Sequence, residues 1–167
     1  LLQTIHETDA LVEGKLRDII NSRSMPLYDI MAYHMGWEDD TNNYNLARTN
    51  SWLHGTLCLL SCQVMGGEMN SAIPAAAAVE LVDSFCQIHD DVESGNPNRN
   101  NRDSVWWVWG PAQAINAGDG LHALARLAMF GLSEHGISRQ LILKAIQLLD
   151  RASLQACEGR FTDLEAQ

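Results

Sequence analysis

Two adjacent carboxylates, Asp90 and Asp91, lie near the end of a run that is otherwise mostly alanine and branched aliphatic. Side by side and partly removed from water, two carboxylates repel each other and need cations to remain charged together. Mg²⁺ is a hard ion that prefers oxygen ligands, so it suits such a pair. The pair therefore predicts a magnesium site, and a solvated helix end is the alternative that the pair alone leaves open.

Polar side chains recur every three or four residues around this pair. Residues at that spacing share one face of a helix, so they form a polar stripe that could line a cavity. The stripe consists of Asp83, Gln87, Asp90 and Ser94. It extends the candidate site along the helix.

The helix that carries the stripe is predicted over 75–93, between Pro74 at its start and Pro97 beyond its end. Residues 37–50 are rich in Asp, Asn and Thr, a composition typical of a loop. Apolar residues at three-to-four spacing predict further helices over 1–20, 27–36, 51–65, 111–130, 137–149 and 154–164. The helix over 51–65 is apolar on nearly all sides, which predicts burial. No stretch alternates long enough to indicate a strand, so we predict an all-α helical bundle, with six to eight helices in one domain.

Composition excludes several classes of protein. The chain has 167 residues, of which 46% are hydrophobic and 19% charged, enough apolar material for a core. Its formal charge of -10 repels phosphate backbones, so non-specific nucleic-acid binding is not expected. Four cysteines without a paired CxxC spacing are interpreted as reduced thiols. We expect no transmembrane segment, no secretory signal in the acidic amino end, and a cytoplasmic location.

Three segments carry a recognisable pattern: AAAAVEL with IHDD over 75–91, WGPAQAINAGD over 109–119, and CEGRFTDL over 157–164. Together they resemble the trans-isoprenyl diphosphate synthases, the polyprenyl synthetase family of the all-α class I terpenoid synthase fold. AAAAVEL over 75–81, followed by IHDD over 88–91, resembles the first aspartate-rich helix of that family. WGPAQAINAGD over 109–119 resembles its GxAxxxxAGD pattern, and CEGRFTDL over 157–164 is similar to its CEGQxxDL run. YHMGW over 33–37 resembles the approach from its second helix. Since the first residue is not Met and these segments correspond to the amino-terminal half or more of a typical member, the chain is interpreted as part of a longer protein.

The resemblance implies a cavity that binds an allylic prenyl diphosphate through Mg²⁺, for prenyl transfer or ionisation in isoprenoid biosynthesis. Asp90 and Asp91 would be the catalytic magnesium ligands of the first motif, with Ser94 at the position of its last carboxylate. Arg99 would contact the diphosphate, and Arg102 would supply a second positive charge. Metal-assisted departure of the diphosphate is physically sound, because the ion neutralises the charge that develops on it.

The prenyl tail would descend along the same helix. Phe85 and Cys86 lie a little more than one turn before Asp90, and Gln87 follows them on the polar stripe. In the family that this chain resembles, a bulky aromatic residue at such a position forms the floor of short-chain enzymes. The resemblance thus implies a limit at about the length of a farnesyl or geranylgeranyl group, and packing of Phe85 against a neighbouring helix is the alternative.

One departure from the family pattern bears on the reaction. The family's GKRxRP segment, which binds isopentenyl diphosphate, corresponds to NSWLHG over 50–55, which contains no Lys or Arg. A diphosphate needs several cationic partners to leave water. Three functions therefore stay open: prenyl transfer, an ionisation-only terpene cyclase, and a catalytically degenerate subunit that modulates an active synthase.

The apolar helices over 75–130 predict a homodimer or a heterodimer with a related subunit.

Overall fold

A computed structural model describes residues 2–37 and 52–166. The rest of the predicted loop over 37–50, together with Ser51, lies outside the described residues. The helices of the described part are α1 (Leu2–Asn21), α2 (Pro26–His34), α3 (Leu53–Val64), α4 (Met69–Glu93), α5 (Val105–Trp109), α6 (Pro111–Met129) and α7 (Arg139–Glu165). A 3-10 helix, Phe130–His135, joins α6 to α7, and two short strands, β1 (Asn98–Arg99) and β2 (Arg102–Asp103), form a hairpin after α4. This architecture confirms the predicted all-α fold class.

Helix α4 is the centre of the bundle and packs against α6, α3 and α1. Its small residues Ala76, Ala77 and Ala78 are fully buried, which lets the neighbouring backbones approach closely. Gly55 of α3 lies at such an approach, since a Cβ atom there would lie 3.2 Å from the carbonyl oxygen of Ala76. Close packing at the alanines therefore fixes how α4 presents its polar stripe.

Helix α4 begins at Met69, earlier than predicted, so Pro74 lies inside the helix rather than at its start. A proline inside a helix removes one backbone hydrogen bond, which is why the sequence suggested a boundary there. Pro74 is fully buried, and its ring packs against the backbone at Gly131. We infer that this packing offsets the lost hydrogen bond.

Helix α7 is continuous where two helices were predicted, over 137–149 and 154–164. The residues between them, DRAS over 150–153, contain no helix breaker. At its start, the Ser138 side chain accepts a hydrogen bond from the backbone N–H of Leu141. The CEGRFTDL segment therefore belongs to one long rigid helix.

The prediction that the helix over 51–65 is buried is wrong. In α3, Gly55, Thr56 and Leu59 are buried, whereas Leu53 and Leu57 are 54% and 52% exposed. The bundle covers only the face of α3 that packs against α4 and α1. Apolar periodicity alone could not show that one face would have no neighbour among the described residues.

Length and composition single out α4, among the described residues, as the one helix that could cross a membrane. In its most apolar window, 44% of the residues are buried inside the bundle, and the buried residues of α4 include Glu80 and Asp91. A buried core helix can have the same length and apolar composition as a membrane span, so these two properties are weak evidence that α4 crosses a membrane. The absence of a transmembrane segment stays a prediction.

Candidate active site

A cleft of about 560 Å³ lies between the carboxyl-terminal half of α4 and the same part of α7. One end is charged, and the rest is lined mainly by apolar side chains of both helices, together with Gln87 and His89. Of the residues singled out in the sequence, the cleft brings together Phe85, Cys86, Gln87, Asp90 and Arg99. The other three candidates, Asp91, Ser94 and Arg102, do not line its wall.

Asp90 and Asp91 point in different directions, because neighbouring residues on a helix are rotated by about 100°. The Asp90 side chain is 42% exposed and faces the cleft. The Asp91 side chain is 2% exposed and faces the hairpin, where its Oδ2 accepts a 2.8 Å hydrogen bond from Arg99 and its Oδ1 a 3.1 Å bond from Asn96. The geometry thus gives Asp91 the task of holding Arg99, and its assignment as a metal ligand stays a prediction.

The hairpin places Arg99 against α4. Asn100 and Asn101 form its turn with φ angles of 53° and 62°, a left-handed conformation that Asn tolerates better than most residues. Arg99 donates to Asp91 through Nε and to Asp90 through Nη2, the latter at 3.1 Å. Burial acts to lower the pKa of Arg99, but the hydrogen bonds and charges of the two carboxylates outweigh it and raise that pKa. Arg99 is therefore a fixed cation at the charged end of the cleft.

Arg102 lies outside the cleft, against α2. Its Nη1 donates to the backbone carbonyl of Tyr33 at 3.0 Å, and its guanidinium stacks 4.2 Å from the centroid of the Tyr33 ring. The Tyr33 hydroxyl in turn donates to the carbonyl of Asp103 at 3.0 Å. These contacts anchor the hairpin to α2, and the predicted diphosphate contact of Arg102 stays a prediction that this position does not favour.

Ser94 lies at the carboxyl end of α4, one turn after Asp90 and on the same face. Its hydroxyl is 3.4 Å from Asp90 Oδ1 and accepts a hydrogen bond from Arg160 of α7. Ser94 therefore stands beside the Asp90 carboxylate, although it does not line the cleft itself.

Sequence reasoning missed Glu93 and Asp163, whose carboxylates lie at this end of the cleft, and it missed Arg160. Its guanidinium contacts Glu93 and Asp90 of α4, each at 3.0 Å, and Asp163 of α7 at 2.8 Å. The hydrogen bond to Glu93 is the main cause that raises the pKa of Arg160. The available signal was the arginine itself, because the similar CEGQxxDL run has glutamine at that position.

The charged end of the cleft is acidic overall. Among the described residues, the carboxylates of Asp90, Asp91, Glu93 and Asp163 surround the guanidinium groups of Arg99 and Arg160, which leaves a local charge of about -2. A bare diphosphate would be repelled by this charge. Divalent cations would reverse it, and the oxygen donors of Asp90, Glu93 and Asp163 already converge on one cationic group, so this donor set fits Mg²⁺.

The Phe85 ring lines the cleft and also packs against α6. Its centroid lies 4.6 Å from that of His89 and 5.1 Å from that of His122. Both interpretations from the sequence, a cavity floor and a helix contact, are therefore compatible with its position. Next to it, burial and nearby Cys157 raise the pKa of Cys86 to about 11, so its thiol stays protonated at neutral pH.

A second, smaller pocket of about 210 Å³ lies where the resemblance expects the isopentenyl diphosphate site. The ligand atoms of His54, Glu80 and Asp83 lie within 4.8 Å of one another there. Glu80 is buried and accepts a 2.6 Å hydrogen bond from the backbone N–H of Gly55, and burial raises its pKa. Gln87 donates to Asp83 at 2.6 Å. The pocket thus has carboxylates on α4, and residues 52–55 at its edge, where the family pattern has basic residues, include no Lys or Arg.

His34 of α2 lines the same small pocket. Burial, together with the charges of Arg99 and Arg102, lowers the pKa of His34 to about 3. The imidazole is therefore neutral at physiological pH and adds no positive charge for a phosphate group. This electrostatic result could not be obtained from the sequence, because it depends on how the hairpin packs against α2.

Comparison with known proteins gives the family. The sequence model of the family described as polyprenyl synthetase matches residues 37–167. The chain belongs to the polyprenyl synthetase family, which confirms the resemblance carried by its three segments.

Individual relatives agree with this assignment. The geranylgeranyl diphosphate synthase of Mycobacterium tuberculosis is 35% identical over 148 residues, which cover 89% of this chain and 41% of that protein. The crystal structure of a polyprenyl synthetase from Streptomyces coelicolor superposes with a TM-score of 0.87 at 33% identity, over 99% of this chain and 47% of that one. A geranylgeranyl pyrophosphate synthetase from Geoglobus acetivorans superposes with a TM-score of 0.83 at 27% identity, over 96% and 48%. The chain thus spans less than half the length of these relatives.

Proposed function

We propose that this chain forms the part of a polyprenyl synthetase that binds an allylic prenyl diphosphate, with Mg²⁺, for prenyl transfer in isoprenoid biosynthesis. The observation that carries the proposal is the shape and charge of the cleft between α4 and α7. An anionic head with an apolar tail matches a cleft that has a cation-binding end and side walls that include Phe85 and Phe161. The geranylgeranyl and farnesyl diphosphate synthases among its relatives support the same substrate class.

In this proposal each residue has a task that follows from its position. Asp90, Glu93 and Asp163 would hold Mg²⁺, which supplies the positive charge that stabilises a departing diphosphate. Arg99 is oriented by Asp91 and donates hydrogen bonds to the diphosphate oxygens through its forked guanidinium. Phe85 excludes water from the prenyl tail and limits its length.

A second function is favoured by the smaller pocket. Among the described residues that line it, Arg99 is the one Lys or Arg side chain, and Glu80 and Asp83 would repel a second diphosphate. This observation favours a cyclase that ionises one allylic diphosphate without condensing it with isopentenyl diphosphate. A degenerate subunit that modulates an active synthase is the third outcome that the test must separate.

We further propose that the protein acts as a dimer. The proposal is supported by large apolar side chains that are exposed on the described surface of α3, with Leu53 and Leu57 each more than half exposed. Light scattering at micromolar concentration should give twice the mass of one subunit, and a monodisperse monomer would contradict the dimer.

The experiment incubates the purified full-length protein that contains this chain with Mg²⁺ and geranyl, farnesyl or geranylgeranyl diphosphate, with and without isopentenyl diphosphate. Prenyl transfer predicts an elongated product only when isopentenyl diphosphate is present. The cyclase predicts a hydrocarbon or alcohol product without it. Binding without any product identifies the modulating subunit, and absence of both binding and product would overturn the proposed function.

A further inference from the structure

Carboxylates from two helices surround the guanidinium of Arg160 in α7. Asp90 and Glu93 approach it from α4, and Asp163 approaches it from its own helix, one turn later. The three separations lie between 2.8 and 3.0 Å, so all three of these carboxylates face one guanidinium. Ser94 also accepts a hydrogen bond from it.

We propose that Arg160 is a built-in counter-ion that competes with Mg²⁺ for these carboxylates and lowers their affinity for the ion until a diphosphate binds. The proposal deepens the proposed function, because it concerns how the same cleft is regulated. Carboxylates that converge in this way repel each other unless a cation lies among them. In the described structure that cation is part of the protein.

A guanidinium and a divalent ion that lie among the same carboxylates repel each other, so the two cations compete for this position. Mg²⁺ binds oxygen at about 2.1 Å and requires near-octahedral geometry. The Arg160 nitrogen atoms already fill the approach to Asp90 and Asp163. An ion that enters must therefore displace Arg160 or bind beside its positive charge, and in either case the ion alone binds more weakly than it would without the arginine.

A bound diphosphate offsets the free energy lost when the guanidinium leaves the carboxylates, because it gives Arg160 a new partner. Arg160 lines the charged end of the cleft together with Arg99, so it remains within the region where the diphosphate would bind. Guanidinium groups form strong paired hydrogen bonds with phosphate oxygens. Ion and diphosphate should consequently increase each other's affinity, as reciprocal linkage requires.

A purely structural role for Arg160 is the competing explanation. In that case its ion pairs would only hold α7 against α4, and their loss would lower stability without changing the affinity for a metal. The two explanations differ in the binding of the metal alone, which needs no prenyl ligand.

The test measures the affinity for Mg²⁺, and for Mn²⁺ as a spectroscopic substitute, in the absence of any phosphate compound. Arg160→Gln removes the charge and leaves a shorter polar side chain. We expect this variant to bind the ion at least about fivefold more tightly than the unchanged protein. Equal or weaker binding by the folded variant would overturn the proposal.

Three further variants make the result specific. Arg126→Gln removes an exposed arginine of α6 that pairs with Asp150 of α7 at 3.3 Å, outside the cleft, and it should leave the metal affinity unchanged. Adding Asp90→Asn to Arg160→Gln should abolish the gain, and a gain that survives would contradict competition for Asp90. If Arg160→Gln does not fold, Arg160→Lys carries the test and should bind the ion more tightly than the unchanged protein, because an ammonium lacks the forked contacts. Unchanged affinity there would overturn the proposal.

Failure of this inference and failure of the proposed function are distinguishable. If the protein binds no prenyl diphosphate but Arg160→Gln still tightens metal binding, competition stands and the proposed substrate is wrong. If prenyl diphosphate binds with Mg²⁺ and Arg160→Gln leaves the affinity for the metal alone unchanged, the proposed function stands and Arg160 is structural.

Discussion

The Nε atom of Arg99 lies 2.8 Å from Oδ2 of Asp91, a carboxylate that is 2% exposed. This buried ion pair ties the hairpin after α4 to the end of that helix. Asp90, the adjacent residue, meets the same guanidinium from the exposed side at 3.1 Å. The two neighbouring carboxylates thus share an arginine but have different environments, and their substitution should have different effects.

Asp91→Asn should lower the free energy of unfolding by about 2 kcal/mol. Loss of one partner from a buried pair costs roughly 3 to 5 kcal/mol, and the cost is smaller here because Arg99 is partly exposed and keeps Asp90. Asp90→Asn is the matched control and should change stability by less than about 1 kcal/mol, since Asp90 is 42% exposed. Urea denaturation of both variants measures the change in the free energy of unfolding. Equal changes in the two variants would contradict the different environments of Asp90 and Asp91.

Gly55→Ala should destabilise the bundle by about 1 to 3 kcal/mol, a cost typical of overpacking. The new Cβ atom would lie 2.9 Å from Val12 Cγ1 and 3.2 Å from the carbonyl oxygen of Ala76. Gly14→Ala in α1 is the control, because nothing lies within 4 Å of its Cβ position. Alanine there should stabilise the helix by about 0.5 to 1 kcal/mol. Thermal or urea unfolding that shows no loss for Gly55→Ala would contradict the close approach of α3 to α4.

Local periodicity predicted six of the seven helices in the described part, with α7 as two, and it predicted the stripe on α4, because each depends on residues three or four apart. It did not predict α5 or the hairpin. It could not predict Arg160 opposite Asp90, since that contact joins residues 70 positions apart on different helices. The divergence of Asp90 and Asp91 was available in principle from the rotation between neighbouring helical residues. The burial of Asp91 could not be predicted from the sequence, because it depends on how the hairpin folds back against α4.

The two asparagines of the hairpin show another limit of the sequence. Nothing in the sequence around Asn100 and Asn101 indicates a structural task for these two residues. The structure gives them positive φ angles in a tight turn, which positions Arg99. The exposed face of α3 was likewise hidden from the sequence, because an all-round apolar helix does not reveal which of its faces has a neighbour.

Stability should fall as the pH falls below about 6.5, partly because of His34. Its pKa is about 3 in the folded chain and about 6.5 in the unfolded chain, so the unfolded state binds a proton first. The stabilisation is complete above pH 6.5 and is lost progressively as the pH falls toward 3. By this linkage, the contribution lost between pH 8 and pH 5 is about 2 kcal/mol.

The free energy of unfolding of His34→Gln, measured at pH 8 and at pH 5, separates the contribution of His34 from that of the other groups that titrate. The variant should lose about 2 kcal/mol less than the unchanged protein over that range. An identical pH dependence of the two proteins would show that His34 titrates normally in the folded chain.

Phe85→Ala should shift the preference of the cleft toward longer prenyl diphosphates, because it removes the ring at the floor. Since Phe85 is only partly buried, the loss of stability should be about 2 kcal/mol, below the roughly 3 to 5 kcal/mol of a fully buried phenylalanine. Phe130→Ala is the control, since Phe130 is exposed and does not line this cleft. The measurement is the ratio of affinities for geranylgeranyl and geranyl diphosphate. An unchanged ratio in the folded Phe85 variant would rule the floor out.

The most direct test of the account is calorimetric titration of the protein with geranylgeranyl diphosphate, with and without Mg²⁺, for the unchanged sequence and for Asp90→Asn. The acidic charge around Asp90 predicts measurable binding only when Mg²⁺ is present, and a loss of at least about tenfold in affinity for the variant. Binding of equal strength without Mg²⁺, or an Asp90→Asn variant that binds as well as the unchanged protein, would contradict a metal-bridged diphosphate at the α4–α7 cleft.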